Sequence, residues 1–151
     1  MSRDLIVVCD LSGSMMECGK RFIMRTVLRA IDQYYRMLNP SIELKLKRWT
    51  TAVEDWPWSS GDDMPDAFMS CNGSSNARVL VNELGNPPEC PVVILSDGYW
   101  NDSAAFNEWA EGCQEGYLRV ILLGADANRK LKAGYVFKAE RLLAALEGLG
   151  E

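Results

Sequence analysis

Apolar residues in this chain fall into two kinds of run. Residues 5–9 and 92–95 are unbroken apolar stretches, and residues 118–123 are apolar but for Arg119; all three are too short for helices and read as buried strands. Elsewhere the apolar positions are spaced by three and four. Met24, Val27, Leu28, Ile31, Tyr35 and Leu38 form one stripe of a long helix that opens at Gly19 and Lys20 and ends at Asn39 and Pro40. Ile42, Leu44 and Leu46 then alternate with Glu43, Lys45 and Lys47, the two-residue period of a strand with one wetter face. A short strand over residues 53–56 lies close enough to close a hairpin. Residues 57–75, rich in Gly, Ser, Asp and Asn, read as loop.

The second half repeats the alternation. Helical residues 79–84 stop at Gly85, with Pro87 and Pro88 marking the exit. Asp102 or Ser103 is placed to cap a helix that buries Phe106, Trp109, Ala110 and Cys113. A short strand near residues 135–137 precedes a last helix carrying Leu142, Leu143, Leu146 and Leu149. Strands alternating with helices predict an α/β three-layer sandwich around a mostly parallel sheet. No repeat or low-complexity tract interrupts it, so residues 1–151 are expected to form a single domain.

Composition narrows the function. Apolar residues at 48% and charged residues at 25% suit a globular chain. A net charge of −5, with no dense Lys/Arg cluster, argues against nucleic acid and against an anionic membrane as partner. No apolar stretch approaches the ~20 residues of a bilayer span. MSRDLIVVCD lacks the apolar core and cleavage site of a secretory signal, and a cytoplasmic location is expected. Five cysteines without CxxC spacing read as free thiols in a reducing compartment. The chain has no histidine, which removes the usual zinc sets and every His-based acid–base scheme.

The strand ends carry the chemistry. In open parallel sheets, ligands bind beyond the carboxyl ends of the strands, near the point where strand order reverses. Two of the apolar strands end there in an aspartate followed by small residues, at Asp10 and Asp97. Asp10, Ser12 and Ser14 place oxygens at alternate positions around Gly13, and between the two aspartates lies the hydroxyl-rich CNGSSNARVL. Hydroxyls and carboxylates are hard donors that suit Mg²⁺ or Mn²⁺ and poorly suit zinc or copper, and Ca²⁺ is the less expected ion here.

Asp10-Leu11-Ser12-Gly13-Ser14-Met15 resembles the DxSxS signature of von Willebrand factor type A domains, and Ser96-Asp97-Gly98 resembles their later (T/S)DG element. The order of elements across the whole chain is similar too. The resemblance implies a Rossmann-like, six-stranded sheet in the order 3-2-1-4-5-6 with strand 3 antiparallel, and a metal-ion-dependent adhesion site (MIDAS). In that arrangement Ser12, Ser14 and one middle-loop hydroxyl touch the ion, while Asp10 and Asp97 act largely through water. The family usually has Gly-Thr in the middle loop. This chain has Gly73-Ser74-Ser75, with Ser74 the favoured match and Ser75 its rival.

The implied function is a non-enzymatic, metal-dependent protein-binding module of the intracellular bacterial type, an assembly or regulatory subunit. Its partner would be a protein that supplies an Asp or Glu carboxylate to the ion, with Tyr99 and Trp100 as candidate aromatic contacts. The alternative is a Mg²⁺-dependent phosphoryl hydrolase with Asp10 as nucleophile. Haloacid-dehalogenase phosphatases typically need a second acid two positions on, where this chain has Ser12. Arg21, Arg25 and Arg29 read as a solvated helix face, and Trp56 and Trp58 as cover for a sheet edge.

Overall fold

The run that ends at Asp10 forms the centre of the sheet. In a computed structural model that describes residues 3–149, β1 (Arg3–Asp10) is flanked by two parallel strands, β2 (Ile42–Trp49) and β4 (Val92–Ser96). β5 (Leu118–Leu122) and β6 (Val136–Lys138) continue the parallel pairing on one side. β3 (Val53–Trp56) turns back antiparallel on β2 at the other. The six-stranded sheet has the order β3-β2-β1-β4-β5-β6, as expected.

Pleating sorts the strand residues onto two faces, each with its own core. Leu5, Val7, Cys9, Val93 and Leu95 pack beneath α1 (Lys20–Leu38), against Met24, Val27, Leu28, Ile31 and Tyr35. Val8, Val92, Ile94 and Val120 face the other way. They meet Ala77, Leu80 and Leu84 of α2 (Ala77–Leu84), with Phe106 and Trp109 of α3 (Ser103–Gly112). Truncating a buried aromatic such as Phe106 to alanine would cost about 3–5 kcal/mol.

Several elements depart from the sequence pattern. α2 starts at Ala77, because the Asn76 side chain accepts from the N–H groups of Arg78 and Val79 at 2.9 and 3.2 Å. Asp102 holds the N-cap position of α3 without a side-chain cap bond. Its carboxylate takes Arg78 at 2.8 Å instead. Leu38, placed on the apolar stripe of α1, is exposed at the helix end. The last helix shrinks to α4 (Leu142–Leu146) behind a 3₁₀ turn, and Leu149 reaches the core from beyond it. Leu143 is exposed. Among the described residues, no helix is long and apolar enough to cross a membrane.

Candidate functional site

Register brings the first polar groups together. Cys9 lies opposite Leu95 in the β1–β4 ladder, so the next residues, Asp10 and Ser96, meet on the face shared with α2 and α3. Ser96 Oγ donates to Asp10 Oδ2 at 2.5 Å. On the other flank Asp10 lies opposite Trp49, whose indole N–H donates to the Asn76 carbonyl at 3.0 Å and so holds the entrance of α2 against the strand ends. That places Ser75 beside Asp10. Its hydroxyl donates to Asp10 Oδ1 at 2.6 Å, and the Ser12 N–H donates to the same oxygen at 2.9 Å.

Backbone bonds stitch three loops into one platform. Leu11 N–H reaches the Trp49 carbonyl, Asn72 N–H the Leu11 carbonyl and Gly13 N–H the Gly73 carbonyl, each at 2.9 Å. Asn101 N–H donates to the Ser75 carbonyl at 2.8 Å, which fastens the middle loop to the loop after β4. Ser12 and Ser14 sit on this platform with their hydroxyl oxygens 3.4 Å apart.

Asp97 turns away from Asp10 and towards α1. Its Oδ2 lies 2.9 Å from Lys20 Nζ, and its Oδ1 accepts from the Tyr99 N–H at 3.2 Å. The same ammonium lies 2.9 Å from Asp126 Oδ2 in the loop after β5. Lys20 is only 1% exposed. Burial works against its charge, but the hydrogen bonds and charges of Asp97 and Asp126 outweigh burial and hold its pKa above that of ordinary lysine. The Lys20 hydrogen bond likewise holds the Asp126 carboxyl below its usual range.

Asp10 is the opposite case. It is wholly buried, and its donors are neutral. Burial pushes its pKa up, and the hydrogen bonds from Ser75, Ser96 and Ser12 recover only part of that cost. A buried carboxylate with no cationic neighbour is expensive unless positive charge arrives from outside the chain.

The expected site residues are therefore gathered unequally. Asp10, Ser12 and Ser14 share one platform. Ser74 is exposed, and it is the neighbouring Ser75 whose hydroxyl reaches Asp10. Asp97 joins through Ser96 and carries Lys20. Tyr99 is exposed at the rim, with its hydroxyl donating to the Asp126 carbonyl at 3.0 Å. Trp100 points into the core, with its ring centroid 4.3 Å from that of Phe106 and 5.6 Å from that of Trp49. Ser96, Lys20 and Asp126 were not singled out as site residues from the sequence. Ser96 stood within a quoted motif, but no local pattern marks Lys20 or Asp126.

The donor set fits a hard divalent cation. The hydroxyl proton of Ser75 is already given to Asp10, which leaves the oxygen's lone pairs for an ion. Counted as ionised, Asp10, Asp97 and Asp126 against one ammonium leave two negative charges, which one divalent cation would balance. Among the described residues no group of three or more His, Cys, Asp or Glu could hold a metal, so an ion here would rest on serine oxygens.

No family model matches the chain, and no curated protein sequence does. Solved structures do match. Proximal thread matrix protein 1 from the mussel byssus superposes over 98% of this chain and 48% of its own, with a TM-score of 0.63 at 16% identity. Another structure of that protein has a zinc-occupied MIDAS motif. The ArnB paralog VWA2 from Sulfolobus acidocaldarius matches over 97% of this chain and 44% of its own, with a TM-score of 0.60 at 17% identity. Manganese-loaded TRAP protein of Plasmodium vivax matches over 98% and 73%, with a TM-score of 0.59 at 14% identity. The chain thus spans less than half the length of the mussel and Sulfolobus proteins. At these identities the likeness shows the fold, that of von Willebrand factor type A domains.

Proposed function

We propose that this chain is a non-enzymatic protein-binding module whose contact with its partner depends on a divalent cation, Mg²⁺ or Mn²⁺. One observation carries the reading: Asp10 is buried, is held by serine hydroxyls and one backbone N–H, and has no cationic partner among the described residues. Ser12, Ser14 and Ser75 are the residues that would hold the ion, with Asp10 fixing the Ser75 hydroxyl and the Ser12 backbone and Asp97 closing the opposite side. When bound, such an ion supplies a Lewis-acidic position that attracts a hard anionic oxygen. An Asp or Glu carboxylate of a partner protein is the ligand of that class which a protein can offer. The exposed Tyr99 is placed to contact that partner, whereas the buried Trp100 supports the platform from below. The manganese-loaded and zinc-occupied neighbours support divalent-metal use by this fold.

The five cysteines, all unpaired, support a reducing cytoplasmic setting. Within it, the single domain would serve as an assembly or regulatory subunit of the bacterial intracellular type. A phosphoryl hydrolase fits less well. An attacking carboxylate needs a free oxygen and access, and both oxygens of the wholly buried Asp10 are already hydrogen-bonded.

The experiment has two arms. Titration calorimetry with MnCl₂ should show one binding event in the wild type and none in Ser12→Ala. Affinity capture of partners should succeed in Mg²⁺ and fail in EDTA, and fail with Ser12→Ala in either buffer. Capture that persists at full strength in EDTA would refute the metal-dependent contact.

A further inference from the structure

Lys20 is costly where it stands. It is the first residue of α1, where the helix dipole is positive and a cation is disfavoured. The preceding Gly19 is left-handed and provides no side-chain cap. The ammonium is also removed from water, at 1% exposure, which is an unfavourable place for a lysine. Two carboxylates from different elements offset these costs, Asp97 after β4 and Asp126 after β5, each at 2.9 Å.

The surrounding chain is shaped around this side chain. Gly124 has a φ of +95°, and a Cβ there would stand 2.8 Å from Lys20 Cγ and 3.2 Å from its Cδ. The aliphatic stem therefore runs against the bare backbone of residue 124. Three elements meet at one ammonium: the start of α1, the end of β4 and the loop after β5. The carboxylate it engages is the one expected to face the metal ion.

We infer that Lys20 is a resident counter-cation for the Asp97 side of the site: it keeps this side assembled before a divalent ion arrives and competes with the ion for Asp97. This inference rests on the metal-site reading above. Two cations drawing on one carboxylate weaken each other's hold, so the protein trades metal affinity for a fold that stands without metal. The site is then built for reversible loading rather than permanent retention.

Wild type, Lys20→Met, Lys20→Gln, Ser12→Ala and the double variant Lys20→Met/Asp97→Asn should each be titrated with MnCl₂ by calorimetry and melted in EDTA and in saturating Mn²⁺. Lys20→Met strands the Asp97 charge. It should melt lower than wild type in EDTA, recover more on adding Mn²⁺, and bind Mn²⁺ at least about tenfold more tightly. Lys20→Gln keeps a hydrogen-bond donor. It should fold even where Lys20→Met does not, and show the same tightening. The double variant removes both charges and should lose the gain. Equal or weaker Mn²⁺ affinity in Lys20→Met and Lys20→Gln, with Ser12→Ala still abolishing binding, would overturn the role of Lys20 and leave the metal site standing. Unchanged Mn²⁺ affinity in Ser12→Ala would overturn the site and this inference together.

Discussion

Ser75 and Asp10 lie 65 positions apart in sequence, and the hydroxyl of one donates to the carboxylate of the other at 2.6 Å. The bond links the entrance of α2 to the end of the central strand. It also brings the Ser75 hydroxyl to Asp10, while Ser74 is exposed. Ser75→Ala should therefore destabilise the fold by about 1–3 kcal/mol, since it deprives a buried carboxylate of a donor, and should weaken Mn²⁺ binding. Ser74→Ala should stay within about 0.5 kcal/mol of wild type and leave the ion unaffected. Urea unfolding beside calorimetric titration distinguishes the two, and the reverse ranking would move the ligand back to Ser74.

Ser12 separates metal binding from stability. Its side chain is buried beside another hydroxyl, 3.4 Å from Ser14 Oγ, in the loop after β1. Ser12→Ala should abolish calorimetrically detectable Mn²⁺ binding while shifting stability by less than about 1 kcal/mol. A variant that loses stability and affinity in step would show that the platform had collapsed rather than lost a ligand.

The glycine of Ser-Asp-Gly has a steric reason. Gly98 has a φ of +84°, and a Cβ there would lie 3.1 Å from both Asn128 Cβ and Leu122 Cδ2. Gly98→Ala adds strain from the positive φ to that crowding, and should cost about 1–3 kcal/mol. A thermal melt unchanged from wild type would mean that the loop relaxes freely.

Alkaline pH should unfold the protein through its buried thiols. Burial raises the Cys9 pKa far above that of an ordinary thiol and pushes the Cys71 pKa up to about 11. The unfolded chain loses these protons near pH 9 while the folded chain keeps them, so the unfolded state binds fewer protons there. Stability from both groups is complete below about pH 8.5 and falls progressively as pH rises from about 9 through 11. Cys71→Ser or Cys9→Ser should flatten this loss in denaturant titrations run across that window. At pH 8 a thiol reagent should label the exposed Cys18 well ahead of Cys9 and Cys71.

Tyr99 and Trp100, adjacent in sequence, should behave in opposite ways. Tyr99→Ala should weaken partner capture and leave Mn²⁺ affinity unchanged, because the ring is exposed. Trp100→Ala should cost about 3–5 kcal/mol by opening a cavity beside Trp49 and Phe106. If Tyr99→Ala captures the partner as well as wild type does, the ring is no anchor.

What the sequence showed and what it hid follow from how local each signal was. The apolar runs and the three-and-four stripe of α1 are short-range patterns, and they yielded the strands and the central aspartate, whereas the sheet order came from the resemblance to von Willebrand factor type A domains. Asp10, Ser12 and Ser14 are legible for the same reason, because two-residue spacing survives in a linear reading. The choice between Ser74 and Ser75 depended on where α2 starts, and that was set by an Asn76 cap held under the Trp49 indole, a contact across 27 positions. Trp100 stood as a candidate partner contact only because it followed Ser-Asp-Gly. The chain path beyond Ser96 turns it onto the α2–α3 face. Lys20 gave no signal at all, since its burial is created by two acidic loops that come from elsewhere in the chain.

The sheet ends on two short strands, β3 with four residues and β6 with three. Each exposes only a brief row of backbone donors and acceptors, too little to template a further strand. On β3 the exposed Glu54 and Asp55 interrupt even that row with charge, and their pairing with Arg48 and Lys47 of β2 keeps the hairpin closed on itself. Such an edge discourages strand addition and the fibrillar stacking that follows from it. A parallel sheet this apolar would otherwise be an aggregation hazard in a crowded cell.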